Sequence, residues 1–193
     1  MEKTSVQKLA GVLKLLVTIT FICNLVALFF VPGCSRLRSL DELVGGALYF
    51  SNEGSLAVAA RMVGYFVSAW QEVWLFGGPY AAVLTSFLLF CGVCTAVILW
   101  QARRVLDTVL TGDTFTFGNA ANMKRAAICC FLISAAALGR TVWGLCFYRS
   151  LMPLLTYNAL FVPIFLMAGL LCMVMSALFR QAAELKAEND LTI

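Results

Sequence analysis

Between Val73 and Ala102 the chain reads VWLFGGPYAAVLTSFLLFCGVCTAVILWQA, without a single Asp, Glu, Lys or Arg. The same holds from Leu15 to Ser35 and from Ser150 to Phe179. A fourth stretch, from Ala126 to Tyr148, contains one charge, at Arg140. A helix of about 20 apolar residues crosses a hydrocarbon core roughly 30 Å thick. Each stretch is long enough, so the sequence predicts four transmembrane helices.

The composition agrees with an integral membrane protein. Hydrophobic residues make up 62% of the chain and charged residues 12%, whereas soluble domains have about 25% charged residues. The longest segment between the four stretches, Arg36 to Glu72, is too short to fold well alone. We therefore predict one all-α membrane domain over residues 1–193. Its parts are spans at approximately 10–32, 79–102, 124–148 and 151–179, an external segment at 36–76, an elbow at 103–123 and a tail at 180–193.

The distribution of Lys and Arg predicts the orientation of the chain. One set of segments carries nine basic residues, namely Lys3, Lys8, Lys14, Arg103, Arg104, Lys124, Arg125, Arg180 and Lys186. The other set carries five, namely Arg36, Arg38, Arg61, Arg140 and Arg149. Because the richer side faces the cytosol, we expect a multi-pass protein of the plasma membrane with both termini, the elbow and the tail in the cytosol.

The external segment has a helical pattern of its own. Apolar residues recur close to helical spacing at Leu56, Ala60, Val63, Phe66, Val67, Trp70 and Trp74. Gly77, Gly78 and Pro79 follow as a helix breaker. We interpret residues 56–76 as an amphipathic helix on the outer surface, with both Trp side chains at headgroup level. The alternative is a fifth span, which would put the N-terminal lysines and Arg103 on opposite sides.

The N-terminal span has a second interpretation as a signal peptide. Three lysines, an apolar run and the segment from Val31 to Cys34 resemble a lipoprotein cleavage site. Pro32 fits such a site poorly. We therefore favour a helix that is retained.

The elbow carries clear helix signals. Its apolar spacing extends the second span past the membrane surface, and Gly112 predicts the stop because glycine readily adopts the left-handed conformation at a helix end. Thr114 or Thr116 is placed to cap the next helix through its side-chain oxygen. Phe115 and Phe117 are expected to hold the turn beneath the bundle. These signals would also suffice for an elbow that only connects two spans, which is the alternative interpretation.

The tail ends on two apolar residues after an acidic stretch. Since a solvated tail has no need of Leu191 and Ile193, we expect it to dock on the elbow. The expected ion pairs join one of Glu184, Glu188 and Asp190 to Arg103 or Arg104.

The elbow and the terminus resemble an uncharacterised bacterial membrane-protein family, domain of unknown function 2975. The motifs are Gly112-Asp113-Thr114-Phe115-Thr116, Asn119 and Met123-Lys124-Arg125, and then Glu184-Leu185 and Glu188-Asn189-Asp190-Leu191-Thr192-Ile193. Four spans and a sizeable first external loop are also similar, so the resemblance covers most of the chain, although Phe117-Gly118 departs from the pattern. The resemblance implies no activity. By association with genes encoded nearby, it implies a small helix-turn-helix DNA-binding regulator as partner.

The residue types argue against catalysis and ion pumping. The chain has no histidine, the commonest general base and metal ligand. No Asp or Glu falls inside a span, where proton- and ion-coupled carriers place one. We therefore expect no enzyme and no cofactor. The intramembrane polar residues to watch are Asn24, Arg140 and Asn158: the two amides should bond between helices, and Arg140 should extend toward the outer surface, a ligand-binding arginine being the alternative.

Five cysteines fall in the inner half of the predicted bilayer, at Cys91, Cys94, Cys129, Cys130 and Cys172. Four thiolates could hold a metal ion or a cluster. Cysteine also behaves as a small hydrophobic residue in buried helices, and we predict that role instead. Near the outer surface, Cys34 and Cys146 could form a disulfide.

These features lead to two functional hypotheses. The first is a non-enzymatic membrane protein, in contact with the lipid bilayer, that signals or sequesters a cytosolic regulator and binds no nucleic acid directly. Its docking surface would comprise Arg103, Arg104, Phe115, Asn119, Glu184, Glu188, Asp190, Leu191 and Ile193. The second is a small transporter or a protein that protects against a membrane toxin or peptide. Its function would map to Arg61, Trp70, Trp74, Asn24, Arg140 and Asn158.

Overall fold

A computed structural model describes residues 5–36, 55–75, 78–149 and 151–190. These residues are helical or connect helices, and the described part contains no strand. The elements are α1 (Ser5–Arg36), α2 (Ser55–Leu75), α3 (Gly78–Thr111), α4 (Phe117–Tyr148), a 3-10 helix (Met152–Leu155) and α5 (Tyr157–Asp190). The predicted all-α class is confirmed.

Four of these helices are long and apolar enough to cross a membrane. They are α1, over Gln7–Pro32, and the whole of α3, α4 and α5. The protein is therefore a multi-pass membrane protein. At 1.5 Å per residue, the 34 residues of α3 and of α5 extend about 51 Å. Because this length exceeds the hydrocarbon core of about 30 Å, these helices continue past the bilayer core.

The helix ends follow the local signals in the elbow. Gly112 has a φ of 84° directly after the last residue of α3, in the left-handed region that glycine adopts without steric cost. Thr116 Oγ1 accepts a hydrogen bond of 3.2 Å from Asn119 N and so caps α4. Both predicted signals are confirmed, and of the two candidate threonines Thr116 is the cap.

The chain divides into two compact units. The second unit, residues 25–90, contains the end of α1, α2 and the start of α3. Ala69 and Val73 are buried in it, and Trp70 Nε1 donates a hydrogen bond of 3.0 Å to the carbonyl oxygen of Phe29. Pro32 lies inside α1 and has no N–H to donate to the carbonyl oxygen four residues earlier, in the preceding turn. Trp70 therefore attaches α2 to the turn of α1 that Pro32 disturbs.

The first unit, residues 1–24 and 91–193, is organised around α4. In the most apolar part of each span, the share of buried residues is 44% in α4, 17% in α3, and 6% in each of α1 and α5. The buried face of α4 consists largely of small residues, including Ala127, Cys130, Ser134, Ala137, Thr141 and Gly144. Small residues let helix backbones approach closely in membranes. Helix α4 is therefore the interior helix, and α1 and α5 present apolar side chains outward.

The packing of α5 against α4 is close. A Cβ added at Gly169 would lie 2.7 Å from Cε1 of Phe131, a distance that ordinary packing does not allow. Ser134 Oγ donates to the carbonyl oxygen of Val162 at 2.9 Å. Nearer the elbow, Ser176 Oγ donates to the carbonyl oxygen of Ala120 at 2.7 Å. These contacts fix the antiparallel register of the two helices.

Candidate functional site

The charged residues of the first unit collect at one end of its helices. We call residues 8–14, 103–125 and 180–190 the elbow end. It contains every described charged residue of this unit except Arg140 and Arg149. The predicted docking residues Arg103, Arg104 and Phe115 belong to it, as do the acidic residues of the tail. Leu191 and Ile193 lie outside the described residues.

Asn119 holds the turn of the elbow together. Its side chain is buried, and Nδ2 donates to Thr108 Oγ1 at 2.6 Å and to the carbonyl oxygen of Thr114 at 2.7 Å. Thr108 Oγ1 in turn donates to the carbonyl oxygen of Val105 at 2.7 Å. One amide thus joins the end of α3, the loop and the start of α4. Asn119 was predicted as a docking residue, but its amide is occupied inside the elbow and is not exposed to a partner.

The tail lies against the elbow through an ion pair that differs from the predicted ones. Lys186 Nζ and Asp113 Oδ1 are 2.8 Å apart. Glu184, expected near Arg103 or Arg104, accepts a hydrogen bond of 2.9 Å from Arg180 Nε instead. Arg180 and Glu184 are four residues apart on one helix, so their side chains meet on the same face without any contact between helices. The tail therefore contributes a cation, Lys186, to the elbow.

The contact of Lys186 has an electrostatic consequence. Its hydrogen bond to Asp113, and then the charge of that carboxylate, raise the pKa of the Lys186 ammonium. Lys186 lies seven residues beyond Phe179, outside the apolar stretch of α5. Both side chains are about half exposed, so the pair contributes little stability and serves mainly to orient the tail. The Phe115 and Phe179 rings, with centroids 6.2 Å apart, support the same arrangement.

The start of α1 packs beside α3 at the same end. Lys14 Nζ lies 2.6 Å from Asp107 Oδ1. One to two turns further into the bundle, the Phe21 and Trp100 rings have centroids 6.0 Å apart. The guanidinium carbon of Arg103 lies 6.0 Å from the centroid of the Phe21 ring, at the limit of a cation–π contact. Arg103 is thereby half-buried against α1.

The intramembrane polar residues bond between helices. Asn24 Nδ2 donates to the carbonyl oxygen of Gly92 at 2.9 Å and links α1 to α3. Arg140 donates from one terminal nitrogen to Asn158 Oδ1 at 2.9 Å and links α4 to the first turn of α5. The predicted bonding of both amides is confirmed. Since α5 begins at Tyr157, the Arg140 pair lies toward the end of the unit opposite the elbow.

Exposed apolar side chains accompany the charges of the elbow end. Phe115 is 52% exposed and Phe117 55% exposed. On the tail, Leu185 is 66% exposed although it lies six residues past Phe179, the last apolar residue of the span. Apolar side chains grouped among charges are typical of interaction surfaces. Sequence reasoning selected Phe115 but not Leu185, whose signal was its position seven residues after Leu178.

Arg104, Lys124 and Arg125 are among the basic side chains of the elbow end that no carboxylate of the described residues neutralises. Arg104, Lys124 and Arg125 form no ion pair or hydrogen bond with any residue of the described chain. All three are exposed. In contrast, Lys14, Arg180 and Lys186 are each bound to a carboxylate. The elbow end therefore combines internally neutralised charges with free positive ones.

A family model described as Protein of unknown function (DUF2975) matches residues 63–193. The match covers the elbow, the tail, α3, α4, α5 and the second half of α2. The chain belongs to this family. No curated protein and no solved structure matches the chain.

In this DUF2975 protein one buried polar atom stands out. Gln101 Oε1, on α3, is the single buried side-chain nitrogen or oxygen among the described residues that has no hydrogen-bond partner. Leaving a buried acceptor unsatisfied costs about 1 to 3 kcal/mol. The sequence analysis did not select Gln101, because the residues around it in the sequence do not indicate that its side chain is buried.

The thiols of the DUF2975 protein do not form a metal centre in the described part of the chain. No group of three or more cysteine or carboxylate side chains there is placed to hold a metal ion. Cys94 and Cys130 are buried free cysteines on α3 and α4, and Cys146 is an exposed free cysteine. The side chain of Cys34, its predicted disulfide partner, lies outside the described residues.

Proposed function

We propose that this DUF2975 protein is a non-enzymatic protein of the plasma membrane that signals or sequesters a cytosolic regulator through its elbow end. The observation that carries the proposal is the exposed apolar side chains of the elbow and tail, Phe115, Phe117 and Leu185. They lie at the charged end of the helices, where contact with lipid tails does not explain the exposure of all three apolar side chains.

The orientation in this proposal puts the elbow end and both termini in the cytosol. Its support is the excess of basic residues at that end, since Lys and Arg are retained on the cytosolic side. In the same orientation α2 lies at the outer surface as an amphipathic helix. Its support is the presence of Trp70 and Trp74 in this helix, because Trp favours the headgroup layer. A reporter enzyme active only in the cytosol, fused after Ile193, tests the orientation.

The tail is the part of the surface best placed to meet a partner. Arg180, Glu184, Lys186 and Glu188 surround Leu185 with charges of both signs. A central apolar anchor with a charged rim is the usual construction of a protein interface. Because Lys186 is bound to Asp113, a partner that docks on the tail also contacts the elbow. The family association with small helix-turn-helix regulators supports a cytosolic DNA-binding protein as that partner.

Crosslinked affinity purification from native membranes tests the proposal. The full-length chain is compared with a chain that ends at Arg180, and the captured proteins are identified by mass spectrometry. We expect a helix-turn-helix protein to be captured by the full-length chain and lost from the shortened one. Equal capture by both chains would contradict a docking surface on the tail.

A pair of matched substitutions sharpens this experiment. Leu185→Ser removes the exposed leucine of the tail, and Leu151→Ser removes a comparably exposed leucine that lies between α4 and α5, away from the elbow. We expect Leu185→Ser to reduce capture by about tenfold or more, as for an apolar anchor worth about 2 kcal/mol. Leu151→Ser should leave capture unchanged. The same loss from both would indicate nonspecific adhesion.

A further inference from the structure

The outward face of α4 changes character at Arg125. Toward the far end of this helix, the side chains that follow at helical spacing on this face are exposed and uncharged, at Ile128, Leu132, Val142 and Cys146. The rise from Ile128 to Cys146 is about 27 Å, close to the thickness of a hydrocarbon core. On the same face, Arg125 and Lys124 come three and four residues before Ile128. The two basic residues thus end a stripe whose length matches the lipid tails.

The register of α4 against α5 gives a second measure of their depth. Ala120 is bonded to Ser176, and Phe131 packs on Gly169. Lys124 and Arg125 fall between these contacts, so they lie level with residues of α5 that follow Gly169 and precede Ser176. Helix α5 is still apolar there, with Leu171 strongly exposed. The two basic side chains therefore lie level with the apolar surface of α5 and not in open water.

The carboxylates of the elbow end do not neutralise this pair. Asp107 and Asp113 are bound to Lys14 and Lys186, and Glu184 to Arg180. Lys124 and Arg125 make no ion pair or hydrogen bond with the described chain. An anion from outside the protein is thus the ligand that their charge and depth favour. The anions present at this depth are the phosphates of phospholipids.

We propose that Lys124 and Arg125 form a binding site for the headgroup of an anionic phospholipid in the leaflet at the elbow end. The planar guanidinium of Arg125 donates two parallel hydrogen bonds to phosphate oxygens. Lys124 adds a point charge one residue away, and both aliphatic stems lie along the acyl chains. The inference does not rest on the proposed regulator, since a lipid occupies the site whether or not a protein docks on the tail.

Native mass spectrometry of the full-length protein in detergent tests the site with phosphatidylglycerol and phosphatidylcholine as probes. We expect phosphatidylglycerol to bind more tightly. The attraction of one basic residue to an anionic membrane surface corresponds to about a fivefold change in affinity. The double substitution Lys124→Gln and Arg125→Gln should therefore weaken binding of phosphatidylglycerol by about 20- to 30-fold and leave that of phosphatidylcholine unchanged.

The matched control is the double substitution Lys14→Gln and Lys186→Gln. It removes the same formal charge, but from residues already bound to carboxylates, and should weaken binding of phosphatidylglycerol by less than about twofold. A variant carrying Lys124→Arg and Arg125→Lys keeps both charges and should retain most of the binding.

Three results would overturn the proposal. The first is undiminished lipid binding by the Lys124→Gln and Arg125→Gln protein. The second is an equal loss in the control protein, which would indicate attraction by net charge alone. The third is a loss of protein capture with unchanged lipid binding, which would assign the pair to a protein partner.

Discussion

The interior of the bundle and the elbow end are held by different interactions. Within the bundle, hydrogen bonds such as that from Ser134 to Val162 join helices whose buried faces consist of small residues. At the elbow end, exposed ion pairs join the helices, and one buried amide, that of Asn119, holds the turn. Exposed ion pairs contribute little because water and salt compete for them.

The difference explains how one chain can combine a fixed frame with an adaptable surface. Close packing resists rearrangement, since a core tolerates neither added nor missing volume without cost. The contacts between tail and elbow exchange readily for contacts with a partner, because little free energy is lost when they open. Substitutions in the packed interface, in the turn and in an exposed ion pair distinguish the two kinds of interaction.

The largest effect is expected from Gly169→Leu, which disrupts the packing of α5 against α4. The new side chain would overlap the ring of Phe131, and overpacking of this kind costs about 1 to 3 kcal/mol, at the upper end here because the contact is so close. Thermal unfolding in detergent, followed by circular dichroism, measures the loss. Gly139→Leu is the control, since a Cβ at Gly139 meets nothing within 4 Å and should not destabilise the helix. If both proteins unfold at the same temperature, the close packing of α4 on α5 does not determine the stability of the bundle.

A smaller loss, about 2 kcal/mol, is expected from Asn119→Ala. The substitution removes two hydrogen bonds and leaves the Thr114 carbonyl without this donor. Hydrogen exchange should accelerate around residues 112–120, while that of the α4–α5 interface should stay slow. Asp113→Asn provides the contrast, because it removes only an exposed ion pair and should leave exchange of the turn nearly unchanged. Equal acceleration by both substitutions would show that the elbow depends on its ion pairs after all.

The smallest effect is expected from the pair of Lys14 and Asp107. A double-mutant cycle with Lys14→Gln and Asp107→Asn should give a coupling of about 0.2 to 1 kcal/mol, because both side chains are substantially exposed. The coupling should decline further between low and high salt as the charges are screened. Unfolding in detergent at two ionic strengths provides the values. A coupling above about 2 kcal/mol that ignores salt would place the pair in a water-free environment and weaken the contrast.

Sequence reasoning succeeded where a signal is local. The stop at Gly112 was predicted, and so was a threonine cap at Thr114 or Thr116, because both signals depend on residues within one turn of each other. Glu184 was one of three carboxylates expected near Arg103 or Arg104, but it bonds to Arg180, a partner on its own helix. Sequence reasoning also treated Asn119 as a surface residue, since an asparagine beside a turn carries no mark of its later burial.

The sequence alone predicts that this protein is helical, that four segments are long enough to cross a membrane, and that one helix stops at Gly112 and the next is capped by a threonine. Hydrocarbon thickness translates directly into the length of an apolar run, and helix ends depend on neighbouring residues. Which polar groups meet depends on the tertiary structure. Asn24 and Gly92 are 68 residues apart in the chain, and Asp113 and Lys186 are 73 apart. Such partners are chosen by the register of packed helices, in which a shift of one residue turns a side chain by about 100° and gives it a different neighbour.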